Sequence, residues 1–141
     1  MNAFTIKTVA ARRTFWDKAM LLHEETYRPA EKPRKRPLAR HYYDLWCLIK
    51  KGVAAQAVAD AGLFDRVAAH RRQFFAWTWM DYDTLRPGAL RVLPLADQLP
   101  AWRADYREMK KEMFYGQVPD FDEILKVVGG FEKQFNQPAK A

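Results

Sequence analysis

The sequence predicts a mainly α fold, one helical, bundle-like domain that carries a single N-terminal strand. Three observations lead there. Apolar residues recur three and four positions apart through most of the chain from position 14 onward, glycines and prolines fall where such helices would end, and one short segment alternates with period two. A length of 141 residues suits one domain, and 49% hydrophobic with 14% aromatic residues supplies a core.

Residues 1–11 hold the strand. Its heart, "FTIKTV" from Phe4 to Val9, alternates apolar and polar side chains and is rich in β-branched types. An isolated strand leaves backbone groups unpaired. It either pairs with "LRVLP" at 90–94 or belongs to a sheet that this chain lacks, and the second reading is preferred. Residues 13–51 then hold two helices joined by a loop. The first opens at Thr14, with Asp17 three residues on in capping-box spacing. Phe15, Trp16, Ala19, Met20, Leu22, His23 and Tyr27 make one broad face, and Pro29 ends it. The second runs from Leu38 to Lys51 and stops at Gly52, with Leu38, Tyr42, Leu45, Trp46 and Ile49 on one side and Arg40, Asp44, Cys47 and Lys51 on the other.

Residues 54–141 make the C-terminal helices. A short piece, Ala54–Ala61, ends at Gly62. A longer helix follows through "LFDRVAAHRRQFFAWTWM", its expected buried stripe being Leu63, Phe64, Val67, His70, Phe74 and Trp77. From Asp81 to Leu95 the period is lost amid Pro87, Gly88 and Pro94, which marks an irregular connection. The next helix starts at Asp97 with Pro100 in its first turn and passes Trp102, Tyr106, Met109 and Met113 to a stop at Gly116. Asp120 and Glu123 open the last one, through Ile124, Leu125, Val128, Phe131 and Phe135. Gly129 and Gly130 weaken it by roughly 1 kcal/mol each relative to alanine and invite a kink.

Several classes of function drop out. A single cysteine, Cys47, allows no internal disulfide, and histidines at 23, 41 and 70 match no zinc spacing, so no metal ligands are assigned. No apolar run approaches the roughly 18 residues of a membrane span, and the N-terminus does not read as a secretory signal; the reading is cytoplasmic. The formal charge of +7 is concentrated in "RPAEKPRKRPLAR", residues 28–40, where six basic residues face one acidic. Pro29, Pro33 and Pro37 forbid a helix there and favour an extended loop that turns its charges outward. Arg28, Lys32, Arg34, Lys35 and Arg36 are therefore the candidate nucleic-acid contacts. A solubilising connector is the plainer alternative.

Two ionisable residues sit awkwardly among aromatic and aliphatic neighbours. Lys18 lies at the margin of the first apolar face, where its stem can pack while the ammonium reaches a cleft. Asp44 lies four residues from Arg40, the spacing of an ordinary helical ion pair worth about 0.2–0.5 kcal/mol. The aromatic run of Phe74, Phe75, Trp77, Trp79 and Tyr82 has two readings as well. At helical spacing it suits a core, and as an exposed set it would stack bases.

"RTFWDKAMLLHEETYRP", "RHYYDLWCLI", "HRRQFFAWTWMDYDTLRPG", "AWRADYREMKKEMFYG" and "PDFDEIL" together resemble the C-terminal half of AbiEii/AbiGii-type nucleotidyltransferase toxins, from type IV toxin-antitoxin systems. The resemblance runs from about Thr8 to Gln134. It implies that the lysine of "TFWDK", here Lys18, serves the nucleoside triphosphate, and Arg40, one turn from Asp44, is a further candidate nucleotide contact. It implies also that the aspartate of "RHYYDL", here Asp44, completes the catalytic site. NTP and Mg2+ are the implied substrate and metal, and an antitoxin, a tRNA or other nucleic acid, and an N-terminal nucleotidyltransferase half are the implied partners.

One departure matters. The resemblance implies a preceding core with a "GS"-type motif and an aspartate-bearing strand, yet this sequence has no serine and its first acidic residue is Asp17. "FTIKTV" would then be the last strand of that core. Asp81 and Asp83 in "MDYD" imitate a metal pair only in spacing, and solvated loop carboxylates are the preferred reading. The expected function is thus the helical part of a nucleotidyltransferase toxin, inactive alone. A non-catalytic nucleic-acid-binding or protein-interaction module is the alternative, and a complete small enzyme with a non-standard metal site is a third possibility.

Overall fold

The computed structural model describes residues 3–34, 37–60, 62–112 and 118–137, with side chains from Ala10 onward. Among the described residues six helices follow in order: α1 (Ala3–Glu25), α2 (Arg40–Lys50), α3 (Val53–Ala59), α4 (Leu63–Phe74), α5 (Leu99–Glu112) and α6 (Phe121–Asn136), with a 3-10 turn at Tyr82–Thr84 between α4 and α5. The expected fold class is thus observed, while the expected N-terminal strand is not. Residues 4–9 are the start of α1. Two physical reasons favour the helix. No glycine or proline interrupts positions 3–25, so a helix nucleated further on propagates backward at one hydrogen bond per residue. A helix also satisfies its backbone internally, whereas a lone strand does not. Thr14 consequently lies within the helix and caps nothing.

α1 is the central element. Phe15, Trp16, Ala19, Met20, Leu22, His23, Glu24, Glu25 and Thr26 are all buried, and α2, α3 and α4 pack against it. Two aromatic clusters fill the interior. In one, Trp16 meets Phe64 at 4.8 Å and Phe135 at 5.1 Å between ring centres, while Phe15 meets Phe131 at 5.0 Å. In the other, Tyr42 lies edge-on to Trp102 at 5.0 Å and to Phe121 at 5.6 Å, joining α2, α5 and α6. Such edge-to-face pairs add about 0.5–1.5 kcal/mol beyond the area they bury.

The helix boundaries follow the sequence signals with one correction. Gly52 and Gly62, at φ 82° and 83°, end one helix and admit the next in the left-handed region that glycine occupies without strain. α4, however, stops at Phe74, and Ala76 takes a positive φ of 45°. The expected stripe therefore breaks after His70: Leu63 and Val67 are buried, Phe64 and His70 half-buried, but Phe74 and Trp77 are exposed. The expected stop of α5 at Gly116, with Met113 before it, lies outside the described residues.

The irregular stretch at 85–98 is held by side chains rather than by a ladder. Asn136 of α6 accepts the N–H groups of Gly88 and Leu90 and donates to the Leu90 carbonyl, and Glu132 accepts those of Val92 and Leu93. α2 is started in a similar way. Its own first residues offer no side-chain cap, and Asp105 of α5 accepts the Leu38 and Ala39 N–H groups at 3.0 and 3.1 Å.

Candidate functional site

Lys18 and Asp44 come together across the α1–α2 contact. Lys18 Nζ lies 3.0 Å from Asp44 Oδ2 and 3.2 Å from His41 Nδ1. His41 and Asp44 are three apart on α2 and so share its face toward α1. Nδ1 facing an ammonium must be the unprotonated nitrogen, which puts the ring proton on Nε2. The pair is half-buried, with the lysine side chain 21% and the aspartate 27% exposed. An ammonium has three protons; Asp44 and His41 engage two, and the third has no partner among the described residues.

The helical pair expected between Arg40 and Asp44 is not formed: among the described residues the ion-pair partner of Asp44 is Lys18, and Arg40 is exposed one turn away. A lysine anchored on a packed helix loses less freedom in pairing than a mobile surface arginine, which tips the choice.

Among the described residues of the basic loop, Arg28 and Arg34 do not face outward as expected. Arg28 grips Glu25 with a fork of bonds, Nε to Oε1 at 2.8 Å and Nη2 to Oε2 at 2.9 Å. Its guanidinium also lies over the rings of Trp77 and Trp79, at 5.7 and 4.9 Å. Arg34 lies 3.8 Å above Trp102 and 3.9 Å from Asp105. Planar guanidinium groups match carboxylates and stack on rings, which is why the arginines fold inward while Lys32 stays exposed. Lys35 and Arg36 lie outside the described residues. Grooves of about 680 and 660 Å³ flank this loop, and both are lined by Glu25, Arg28, Lys32, Pro33 and Arg34. Neither is lined by Lys18 or Asp44. Leu21, Glu24 and Glu25 of α1 border the second groove, which places it roughly 5–10 Å along the helix from Lys18 at 1.5 Å per residue.

Other charged groups on α1 escape a reading by pattern. Glu24 and Arg71 form a two-bond pair at 2.7 and 2.8 Å with both side chains buried. Burial pushes the Glu24 carboxyl above its ordinary range, against the opposing pull of Arg71. His23, also buried, accepts the Arg91 N–H at Nδ1 (2.8 Å) and meets Thr84 Oγ1 at Nε2 (2.8 Å). The signal was present but indirect. Glu24 lies four residues after Met20 and Arg71 four after Val67, each in register with a buried apolar stripe.

Asp81 and Asp83 do not converge on a cation. Asp81 Oδ1 accepts the Asp83 N–H at 3.0 Å, and Asp83 pairs with Arg72 at 2.6 Å. Among the described residues no group of three or more His, Cys, Asp or Glu could hold a metal ion. No helix of the described residues is long and apolar enough to cross a membrane.

No curated protein and no solved structure matches the chain. One family model does, that of the nucleotidyl transferase AbiEii toxin of type IV toxin-antitoxin systems, over residues 1–127. That span carries α1 to α5, the Lys18–Asp44 pair and the loop with its grooves. An antitoxin is the partner that such systems imply, and the chain belongs to the AbiEii family of nucleotidyltransferase toxins.

Proposed function

We propose that this chain is the helical part of a toxin that transfers a nucleotide from an NTP to an acceptor such as a tRNA end, with Lys18 and Asp44 in its active site. In that reaction an acceptor hydroxyl oxygen bonds to the α-phosphorus, the bond to pyrophosphate breaks, and the hydroxyl proton leaves. The observation that carries the reading is the 3.0 Å approach of Lys18 to Asp44, with one lysine proton left over. The ammonium directs that proton to a phosphate oxygen where negative charge develops. Asp44 holds the ammonium in place and offers an oxygen to the departing hydroxyl proton. Arg40, exposed one turn away, reaches the outer phosphates. Arg28, Lys32 and Arg34, with Lys35 and Arg36, guide the acceptor backbone.

We propose further that metal-holding carboxylates come from polypeptide other than these helices, since the sequence has no Gly-Ser motif. The test is transfer of label from NTPs to RNA in magnesium buffer. One mixture holds this chain alone, and the other adds the product of any flanking coding sequence that bears a GS…D core. Transfer is expected in the second mixture only, and is expected to vanish with Lys18→Ala or Asp44→Ala. Transfer by the chain alone would refute the division of labour, and transfer indifferent to both substitutions would refute the site. Binding of RNA without transfer in either mixture would favour the second reading, a non-catalytic nucleic-acid-binding module, for which the basic grooves speak.

A further inference from the structure

Lys18 meets two acceptors of different kinds. Asp44 Oδ2 stands 3.0 Å from its Nζ and His41 Nδ1 3.2 Å, and the roles given above to Lys18 and Asp44 leave the imidazole unexplained. Both acceptors belong to one turn of α2, so they reach the ammonium from the same wall. Their placement is set where that helix begins. Asp105 of α5, its side chain only 9% exposed, accepts the Leu38 and Ala39 N–H groups, and His41 follows in the first turn. Tyr42 and Leu45, which flank His41 and Asp44 in sequence, are buried in the core. The imidazole thus stands on backbone fixed both by packing and by a nearly buried carboxylate.

A second acceptor changes what the lysine can do. Its ammonium is a compact charge with three donors on a flexible four-carbon stem. One acceptor fixes a single N–H direction and lets the other two swing about it. Two acceptors fix two directions, and tetrahedral geometry then fixes the third. The chemical kind of the second acceptor matters as well. Two carboxylates on Lys18 would give the trio a net negative charge and repel an incoming polyphosphate, whereas one carboxylate and a neutral ring leave it at zero, with exposed Arg40 adding a positive charge beside His41. A neutral imidazole orients the ammonium without cancelling it.

We infer that His41 is a positioning residue, which through Nδ1 holds the Lys18 ammonium so that its remaining N–H keeps one direction. What that N–H serves rests on the nucleotide role proposed above, whereas the holding itself is a property of this chain alone.

The experiment measures by peptide mass spectrometry how fast an amine-reactive ester acylates Lys18 in the folded chain, with exposed Lys51 as internal reference. A held ammonium must give up its acceptors before its nitrogen can attack. His41→Leu is expected to speed acylation of Lys18 relative to Lys51 about 2- to 12-fold, the net worth of one hydrogen bond. His41→Asn is expected to restore the parent rate, since the amide oxygen of asparagine stands as many bonds from the backbone as Nδ1 does. His41→Gln, whose oxygen lies one bond further out, is expected to fall short. Melting curves confirm that each variant folds, and the comparison of Asn with Gln carries the test should the leucine variant not. A folded His41→Leu chain that reacts at the parent rate, or an Asn variant no slower than Gln, would overturn the inference. Inorganic tripolyphosphate added without magnesium is the separate readout. It is expected to protect Lys18 in the parent and the Asn variant and to protect it less in His41→Leu. No protection in the parent, with the acylation pattern of the variants as expected, rejects the phosphate-facing role of Lys18 alone; protection indifferent to His41→Leu rejects the positioning role alone.

Discussion

Replacing Lys18 by alanine should scarcely affect stability, whereas replacing Trp16, two residues earlier on the same helix, should be severe. The contrast follows from the two environments. Trp16 has no exposed surface; its ring meets those of Phe15, Phe64, Phe131 and Phe135, and its Nε1 donates to the Ala57 carbonyl at 3.3 Å. Truncation removes that packing, leaves a cavity between α1, α4 and α6, and strips a buried carbonyl of its donor, so a loss of about 3–5 kcal/mol is expected.

Lys18 forms one ion pair at 3.0 Å with both side chains a fifth to a quarter exposed. In water a pair at that distance attracts by about 1.4 kcal/mol, and although a partly buried setting strengthens the attraction, desolvation and the ordering of two side chains offset most of it. The net loss on Lys18→Ala is then about 1 kcal/mol or less. Urea unfolding followed by far-UV circular dichroism reads both variants, the midpoint shift at unchanged slope giving the stability difference. Equal losses from the two substitutions would refute the reasoning and make Lys18 a structural residue, and a Trp16→Ala loss under 1 kcal/mol would refute the central place of α1.

Stability should fall with acid through His23. Burial, and then the positive charge of Arg91, hold its pKa at about 4 against an ordinary value of 6.5. The unfolded chain therefore binds the extra proton first: the contribution is whole above pH 6.5 and is lost as pH falls toward 4, to a total of about 3 kcal/mol. Unfolding midpoints between pH 4.5 and 7 should show this slope, and His23→Gln should flatten it; parallel profiles would remove His23 as its source. The two glycines of α6 should separate as well. A methyl group on Gly130 meets nothing within 4 Å, so Gly130→Ala should stabilise by up to about 1 kcal/mol, whereas one on Gly129 would stand 3.1 Å from Leu93 Cδ1, so Gly129→Ala should gain less or lose. Thermal melts of the two single variants decide it, an equal gain from both counting against close packing of Leu93 on α6.

Much of the fold was legible because local signals agreed with tertiary need. The apolar face of α1 from Phe15 to His23 is buried as its spacing requires, and Gly52 and Gly62 sit at helix boundaries with positive φ. Misreadings arose where a short window was ambiguous or where a decisive contact was remote. Six alternating residues at 4–9 suit a strand or the first turns of a helix, and only continuity with α1 separates the two. Phe74 and Trp77 keep helical spacing beyond the point where the backbone turns, so periodicity alone placed them inside. At the site, the resemblance put Lys18 and Asp44 together and the structure pairs them, whereas the i,i+4 rule alone pointed Asp44 to Arg40. The cap given to α2 by Asp105, more than sixty residues away, leaves no local trace.

The polar residues of α1 also favour the role proposed for Lys18 over one for any neighbour. Charges on a helix packed on several sides need partners, and four polar residues of α1 find theirs in separate directions: Lys18 to α2, Glu24 to α4, Glu25 to the loop, His23 to the 3-10 turn and Arg91. Glu24 and Glu25, with side chains 2% and 5% exposed, are held by two-bond forks. A ligand that took either arginine would leave a carboxylate buried and unpaired, at a cost of about 3–5 kcal/mol. Lys18 is different in kind. It meets water, it keeps a donor in reserve among the described residues, and it can tilt toward a phosphate without releasing Asp44. The same packing that makes Glu24 and Arg71 structural thus leaves the Lys18–Asp44 pair open to chemistry.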